Sequence, residues 1–234
     1  MSLSLSLFLL SRPLVQRSQR SSLAFSLPRF GTPTYPALNR SLIWLSPHSG
    51  LFSFASTTLI LSLYNTQARH VAIPNVVVGM ALFCGGVAQF VAGMWEFACG
   101  NSFGATAFSS YGAFWLSYAT ILIPNSGIAA AYAGTTQESD ALGIYLITWM
   151  VVSLMFLIVS FRKSVGFIAI FSFLSVTFIL LAAGEFKREP KIAKAGGGTG
   201  IVTAMIAYYV GLAELLAMDG VTFLPVGRLP RRAD

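Results

Sequence analysis

Six apolar runs, each close to the length that crosses a bilayer as a helix, constrain this chain more than any motif does. They occupy 50–65, 73–97, 103–123, 141–161, 165–183 and 200–218. A helix needs about 20 such residues to cross ~30 Å of hydrocarbon, and the strict alternation of a membrane β-strand is missing from all six. Breakers separate them, among them Pro124 with Asn125, Arg162 with Lys163, and Glu185. The expected fold is all-α: a polytopic membrane protein built as a six-transmembrane-helix bundle.

The composition leaves little alternative. Of 234 residues, 55% are hydrophobic and 10% charged, with a mean hydropathy of +0.72. Soluble domains carry about 25% charged residues, and eight acids with fifteen bases cannot solvate a globule of this size. A soluble enzyme and a disordered scaffold are excluded. The net charge of +7 forms no basic stripe interleaved with aromatics, so nucleic acid is not the partner; bases between apolar runs are what membrane loops carry. No nucleophile elbow, phosphate loop or metal-binding histidine pair occurs, and His48 and His70 only flank the first run. The chain is therefore read as no enzyme, with no metal and no cofactor. Cys84 and Cys99 would stand about 22 Å apart along one helix, beyond disulfide reach.

Three regions follow. Residues 1–49 hold Arg12, Arg17, Arg20, Arg29 and Arg40, no acid and many serines; this reads as a disordered tail or as a targeting segment. Residues 50–220 are the six-helix transmembrane domain, and 221–234 a short basic tail. An even number of crossings puts both termini on one side, with ten bases: those five, Arg162, Lys163, Arg228, Arg231 and Arg232. Arg69, Lys187, Arg188, Lys191 and Lys194 fall on the other. The positive-inside rule then makes the termini cytoplasmic.

Within the runs, glycines at 79, 86, 93 and 100 keep a seven-residue interval, and 200–211 carries Gly200, Ala204, Ala207 and Gly211. Such stripes let helix backbones approach closely where lipid removes the hydrophobic drive. Polar groups there are costly unless partnered or facing water. Thr57, Gln89 and Ser109 either tie helices together or line a polar path, and Glu96 and Glu214 are either structural or proton-carrying carboxylates. No Lys or Arg falls within a run, so an anion would be held by helix N-termini and by hydroxyl or amide donors. Weak, uncharged holding suits passage rather than capture.

The stretch GGVAQFVAGMWEFACGNSFGATAFSSYGAFWL at 85–116 resembles the acetate uptake transporter family (AceTr), with its bacterial SatP/YaaH and fungal Ato branches. The likeness extends through STTLILSLYN at 56–65, LGIYLITW at 142–149, TGIVTAMIAYYVGLAELL at 199–216 and LPVG at 224–227. The resemblance implies six transmembrane helices per subunit, homo-hexamers, and a central pore in each subunit closed by a Phe, a Tyr and a Leu. The matching positions here are Phe54, Tyr111 and Leu174, and Ala207 falls where members tune which carboxylates pass. Three bulky side chains of this kind make a ring that resists water and ions while closed. The family's NPAPLGL segment before the first helix is replaced by LSPHSGL at 45–51. Either the entrance is altered, or 1–49 is not the family's own N-terminus.

The expected function is transport of acetate and related short monocarboxylates, succinate among them, coupled to protons in the plasma membrane. Phe54, Tyr111 and Leu174 would form the constriction, with Thr57, Gln89, Asn101 and Ser109 as polar contacts. The rivals are ammonium export, and an acetate sensor that moves nothing.

Overall fold

The computed structural model of the protein describes residues 47–229. Its long helices are α1 (Pro47–Asn65), α2 (Val77–Ala98), α3 (Ser102–Leu122), α4 (Gln137–Ser160), α5 (Val165–Lys187) and α6 (Pro190–Met218). Single helical turns fill the connections after α1 and α3. Among the described residues there is no strand, only one antiparallel bridge between Ser164 and Arg228. The described residues form an all-helical fold.

Four helices, α2, α4, α5 and α6, are long and apolar enough to cross a membrane. Their outer faces present large apolar side chains to the surroundings: Phe83 and Phe97 on α2 are 72% and 73% exposed, and Ile158 on α4 is 70% exposed. A water-solvated surface would not hold such a belt; lipid would. Helices α1 and α3 are comparable in length but richer in hydroxyls. Several of those hydroxyls are partnered within their own helix: Thr57 donates to the Ser53 carbonyl at 2.9 Å, and Ser109 to that of Ala105 at 2.6 Å; Ser56 instead meets Tyr208 of α6 at 2.7 Å, and the buried Thr58 hydroxyl has no protein partner. Back-bonding of this kind makes Ser and Thr tolerable away from water.

The helices pack in chain order and close on themselves: α2 lies on α1 and α3, α4 on α5, and α6 on both α5 and α1. Rings join α3 to α4, with Phe114 stacked on Tyr145 and in edge contact with Trp149. The stripe on α6 is an interface: a Cβ at Gly200 would collide with the Ser62 hydroxyl of α1, and Ala204 and Ala207 are fully buried.

Several boundaries differ from the sequence reading: α1 starts at Pro47, α2 at Val77, and α5 runs through Glu185, expected as its stop, to Lys187. Helix α6 starts ten residues before the expected 200, taking in Lys191, Lys194 and Gly196 to Gly198. Pro190 sits at the first helical position, where its missing N–H costs nothing, and the Glu189 side chain accepts from the Lys191 amide. Two of the glycines there are sites of contact: Gly196 faces Leu181 of α5 and Gly197 faces Ser62 and Thr66, while Gly198 has open space beside it. Helix α4 likewise starts at Gln137, with Glu138 and Asp140 in its first turn, where the helix dipole favours negative charge.

Helix α2 departs from α-geometry over Met80–Ala88, which is π-helical; the Gln89 amide donates five residues back, to Cys84. This wider segment breaks the glycine repeat. An α-helix turns about 100° per residue, and i→i+5 bonding reduces that to roughly 80°. Gly79 and Gly86 therefore point in different directions, whereas Gly86 and Gly93 share a face. Gly86 meets Leu116 and Gly93 meets the Ser109 amide, both on α3, while nothing lies within 4 Å of a Cβ at Gly79. Gly100 is outside the helix, at φ +79°. Both cysteines are free.

At one end of the bundle the α4–α5 turn meets the segment after α6. The amides of Val165 and Gly166 donate to the carbonyls of Gly227 (2.9 Å) and Val226 (3.2 Å), and the Leu229 amide donates to Lys163 (3.1 Å). At the other end Arg188, between α5 and α6, pairs with Asp140 at 3.1 Å. Among the described residues the first end carries three bases, Arg162, Lys163 and Arg228, against five at the second. The other seven bases, Arg12, Arg17, Arg20, Arg29, Arg40, Arg231 and Arg232, lie outside the described residues, as do 1–46 of the N-terminal region. The expected charge asymmetry depends on them.

Candidate functional site

Two cavities meet at a pair of rings. Phe54 of α1 and Tyr111 of α3 stand with ring centroids 5.6 Å apart, are 6% and 3% exposed, and line both cavities. The first cavity, of about 160 Å³, is bounded by Leu51, Gln89, Asn101, Lys163, Phe171 and Glu214 among others. The second, about 80 Å³, runs past Thr58, Ser62, Asn65, Leu174, Thr177 and Glu185. Beyond the first cavity lies an open vestibule of about 770 Å³ that shares Asn101, Phe103, Lys163, Phe167 and Glu214 with it. Vestibule, first cavity, ring pair and second cavity thus follow one another through the helices.

Packing fixes the rings. Tyr111 stacks on Phe171 of α5 and sits within 6.0 Å of Trp149 and Phe156 of α4. Its hydroxyl is 2.8 Å from that of Ser153. Leu174 is buried and lines the second cavity.

The candidate polar residues divide. Gln89 and Asn101 line the first cavity; Thr57 and Ser109 bond to their own helices. Gln89 is fully buried, and neither its amide oxygen nor its nitrogen has a protein partner. A buried amide with both ends unmet costs about 1–3 kcal/mol, so its place at a cavity wall calls for a polar occupant. Asn101 caps α3, its side-chain oxygen accepting from the Gly104 amide at 3.2 Å, while its amide nitrogen donates to Glu96. Glu96 stands behind Asn101, 1% exposed; Glu214 lines the cavity wall itself. Ala207 is fully buried in the core.

Two features escape sequence reasoning. The first turn of α5 offers no free amides to an anion, because Val226, Gly227 and the Ser164 hydroxyl take them. A cation does reach the path: Lys163, from the α4–α5 turn, lines both the first cavity and the vestibule. Its only sequence signal is its position directly after an apolar run, which reads equally well as a loop anchor. Gly50 and Leu51, where 45–51 agrees with the family pattern, also reach this region. Leu51 lines the first cavity and Gly50 lies against Phe108; Leu45 and Ser46 lie outside the described residues.

Known proteins resemble this chain over most of its length. Acetate permease A of Emericella nidulans is 37% identical over 221 residues, 87% of this chain and 74% of its own length. The succinate-acetate/proton symporter SatP of Escherichia coli is 35% identical over 180 residues, 76% of this chain and 92% of its own. Ammonia transport outward protein 2 of Saccharomyces cerevisiae is 45% identical over 163 residues; the chain spans 57% of that relative's length, so under two thirds of it is matched. The solved structure of the bacterial acetate channel SatP superposes with a TM-score of 0.69 at 33% identity, over 77% of this chain and 97% of the channel. With the apolar helices, these relatives make the chain an integral membrane protein. Residues 46–231 match the GPR1/FUN34/yaaH family, and the chain belongs to that family.

Proposed function

We propose that the protein carries acetate and related short monocarboxylates, with succinate as a further substrate, across the plasma membrane in company with protons. The path runs through each subunit of a homo-hexamer, inside a bundle of six membrane-crossing helices over 50–220, with both termini cytoplasmic. Phe54 and Tyr111 close it at mid-path, and Leu174 completes the ring from the second cavity. The observation that carries this reading is the ring pair lining both cavities, one step from the unpartnered Gln89 amide.

The chemistry is economical. A carboxylate oxygen accepts from the Gln89 amide and from Asn101, and apolar rings admit a small solute only when it is stripped of water. A weak acid moving with a proton is electroneutral. Glu214, on the wall shared by vestibule and cavity, is the carboxylate placed to exchange that proton; Glu96, bonded to Asn101, holds the α3 cap in place.

Uptake of labelled acetate at acidic and neutral external pH, in cells stripped of their own acetate permeases, tests the proposal. The chain as it stands is compared with a version carrying NPAPLGL at 45–51. Saturable, acid-stimulated uptake supports the reading, and uptake by the restored version alone assigns the defect to the entrance. No uptake by either, with both at the membrane, overturns it. Ammonium export is the second reading, favoured by the name of the yeast relative; methylammonium flux in the same cells separates the two.

A further inference from the structure

The mouth of the first cavity holds a cation without a counter-ion. Lys163 is half-buried, and its ammonium lies 5.2 Å from the centroid of the Phe103 ring, within cation–π range. Its backbone is fixed on both sides: the Lys163 amide donates to Ser160 at 2.9 Å, and its carbonyl accepts from Leu229 at 3.1 Å. Among the described residues the ion pair is Arg188 with Asp140, at the far end of the bundle. Glu214 lines the same cavity but makes no salt bridge with Lys163. Arg162 and Arg228 line the vestibule but not the first cavity, and Arg228 also lines a neighbouring cavity with Glu214.

This arrangement has a direction. A solute entering from the vestibule first meets a positive charge held on an aromatic face, in a partly desolvated mouth where charge acts more strongly than in open water. Farther in it meets a neutral amide, Gln89, and then the rings. Attraction is strongest at the mouth and weaker inside, so an anion is drawn in without being trapped.

We propose that Lys163 is the charge filter of the pathway: it recruits carboxylate anions at the vestibule end and turns ammonium and other small cations away. The inference rests on the transport reading and adds to it a residue that decides between anion and cation.

The test is flux through the full chain in proteoliposomes, with Lys163→Gln, Lys163→Arg and Lys163→Glu beside the wild type, each checked for an unchanged melting temperature. Lys163→Gln should raise the KM for acetate about tenfold, the scale of one partly screened charge contact. The rise should be confined to flux entering from the vestibule end, and the fall of flux with added salt should weaken, Arg162 and Arg228 remaining at the vestibule. Lys163→Arg should keep both properties, and Lys163→Glu should admit methylammonium. Wild-type KM and salt dependence in Lys163→Gln overturn the filter alone. A wild type that moves no acetate overturns the transport reading and the filter with it.

Discussion

Tyr111 donates its hydroxyl proton to Ser153. The two oxygens are 2.8 Å apart, and Ser153 has its own single proton committed to the Trp149 carbonyl, 2.9 Å away. A serine hydroxyl has one donor, so the direction of the bond follows. The ring between the two cavities is thus held by α4 through a chain of two hydrogen bonds. Ser153→Ala should cost about 1–3 kcal/mol, the scale for a buried hydroxyl left without its partner, and should change acetate flux by freeing the ring. Tyr111→Phe, which removes the orphaned group, should recover most of that stability in a double-mutant cycle read by thermal unfolding.

Gln89 separates stability from transport. Its amide is buried without protein partners, so Gln89→Met should leave the melting temperature unchanged or raise it, removing a desolvation cost of about 1–3 kcal/mol. Acetate uptake should nonetheless lose about tenfold in KM, the value of one hydrogen bond to a charged substrate. A melting temperature that falls together with transport would make Gln89 a packing residue.

Asn101 does two structural tasks at once, capping α3 and donating to Glu96. Asn101→Ala should cost about 1 kcal/mol for the cap and a further ~1–3 kcal/mol for the buried carboxylate left unmet. Asn101→Ser keeps a capping oxygen and should recover only the first part. Detergent-solubilised melting curves of the three proteins decide it.

Glycines with one spacing should behave oppositely. A Cβ at Gly93 would lie 2.6 Å from the Ser109 backbone nitrogen, which cannot move aside without shifting α3. Gly93→Ala should therefore destabilise by about 1–3 kcal/mol. Gly79 has open space around it, and Gly79→Ala should stabilise by up to about 1 kcal/mol through helix propensity. Paired melting temperatures give the signs directly.

Apolarity made the helices legible, because a run such as 141–161 has few other ways to exist. The stripe from Gly200 to Gly211 is legible as an interface for the same reason: small residues in an apolar helix have little purpose besides close approach. The start of α6 is not legible, since Lys191, Lys194 and three glycines look like a loop until Leu181 is seen against Gly196, and Ser62 and Thr66 against Gly197. At the site, Gln89 stands out as an amide in an apolar run, and nothing in the letters distinguishes it from Thr57, which bonds inside its own helix. Lys163 enters the cavity because the segment after α6 folds back on its turn, a contact across more than sixty residues that no local pattern encodes.

The wide turn at Met80–Ala88 ties the second helix to a fixed count of residues. Everything after it, including Gln89 toward the cavity and Gly93 toward α3, is aimed by how many residues precede it. Removing one residue from 80–88 and letting ordinary α-geometry run through would replace nine steps of ~80° by eight of ~100°, turning the downstream helix by roughly 80° relative to the part before it. The stretch can change its letters, and it cannot change its length.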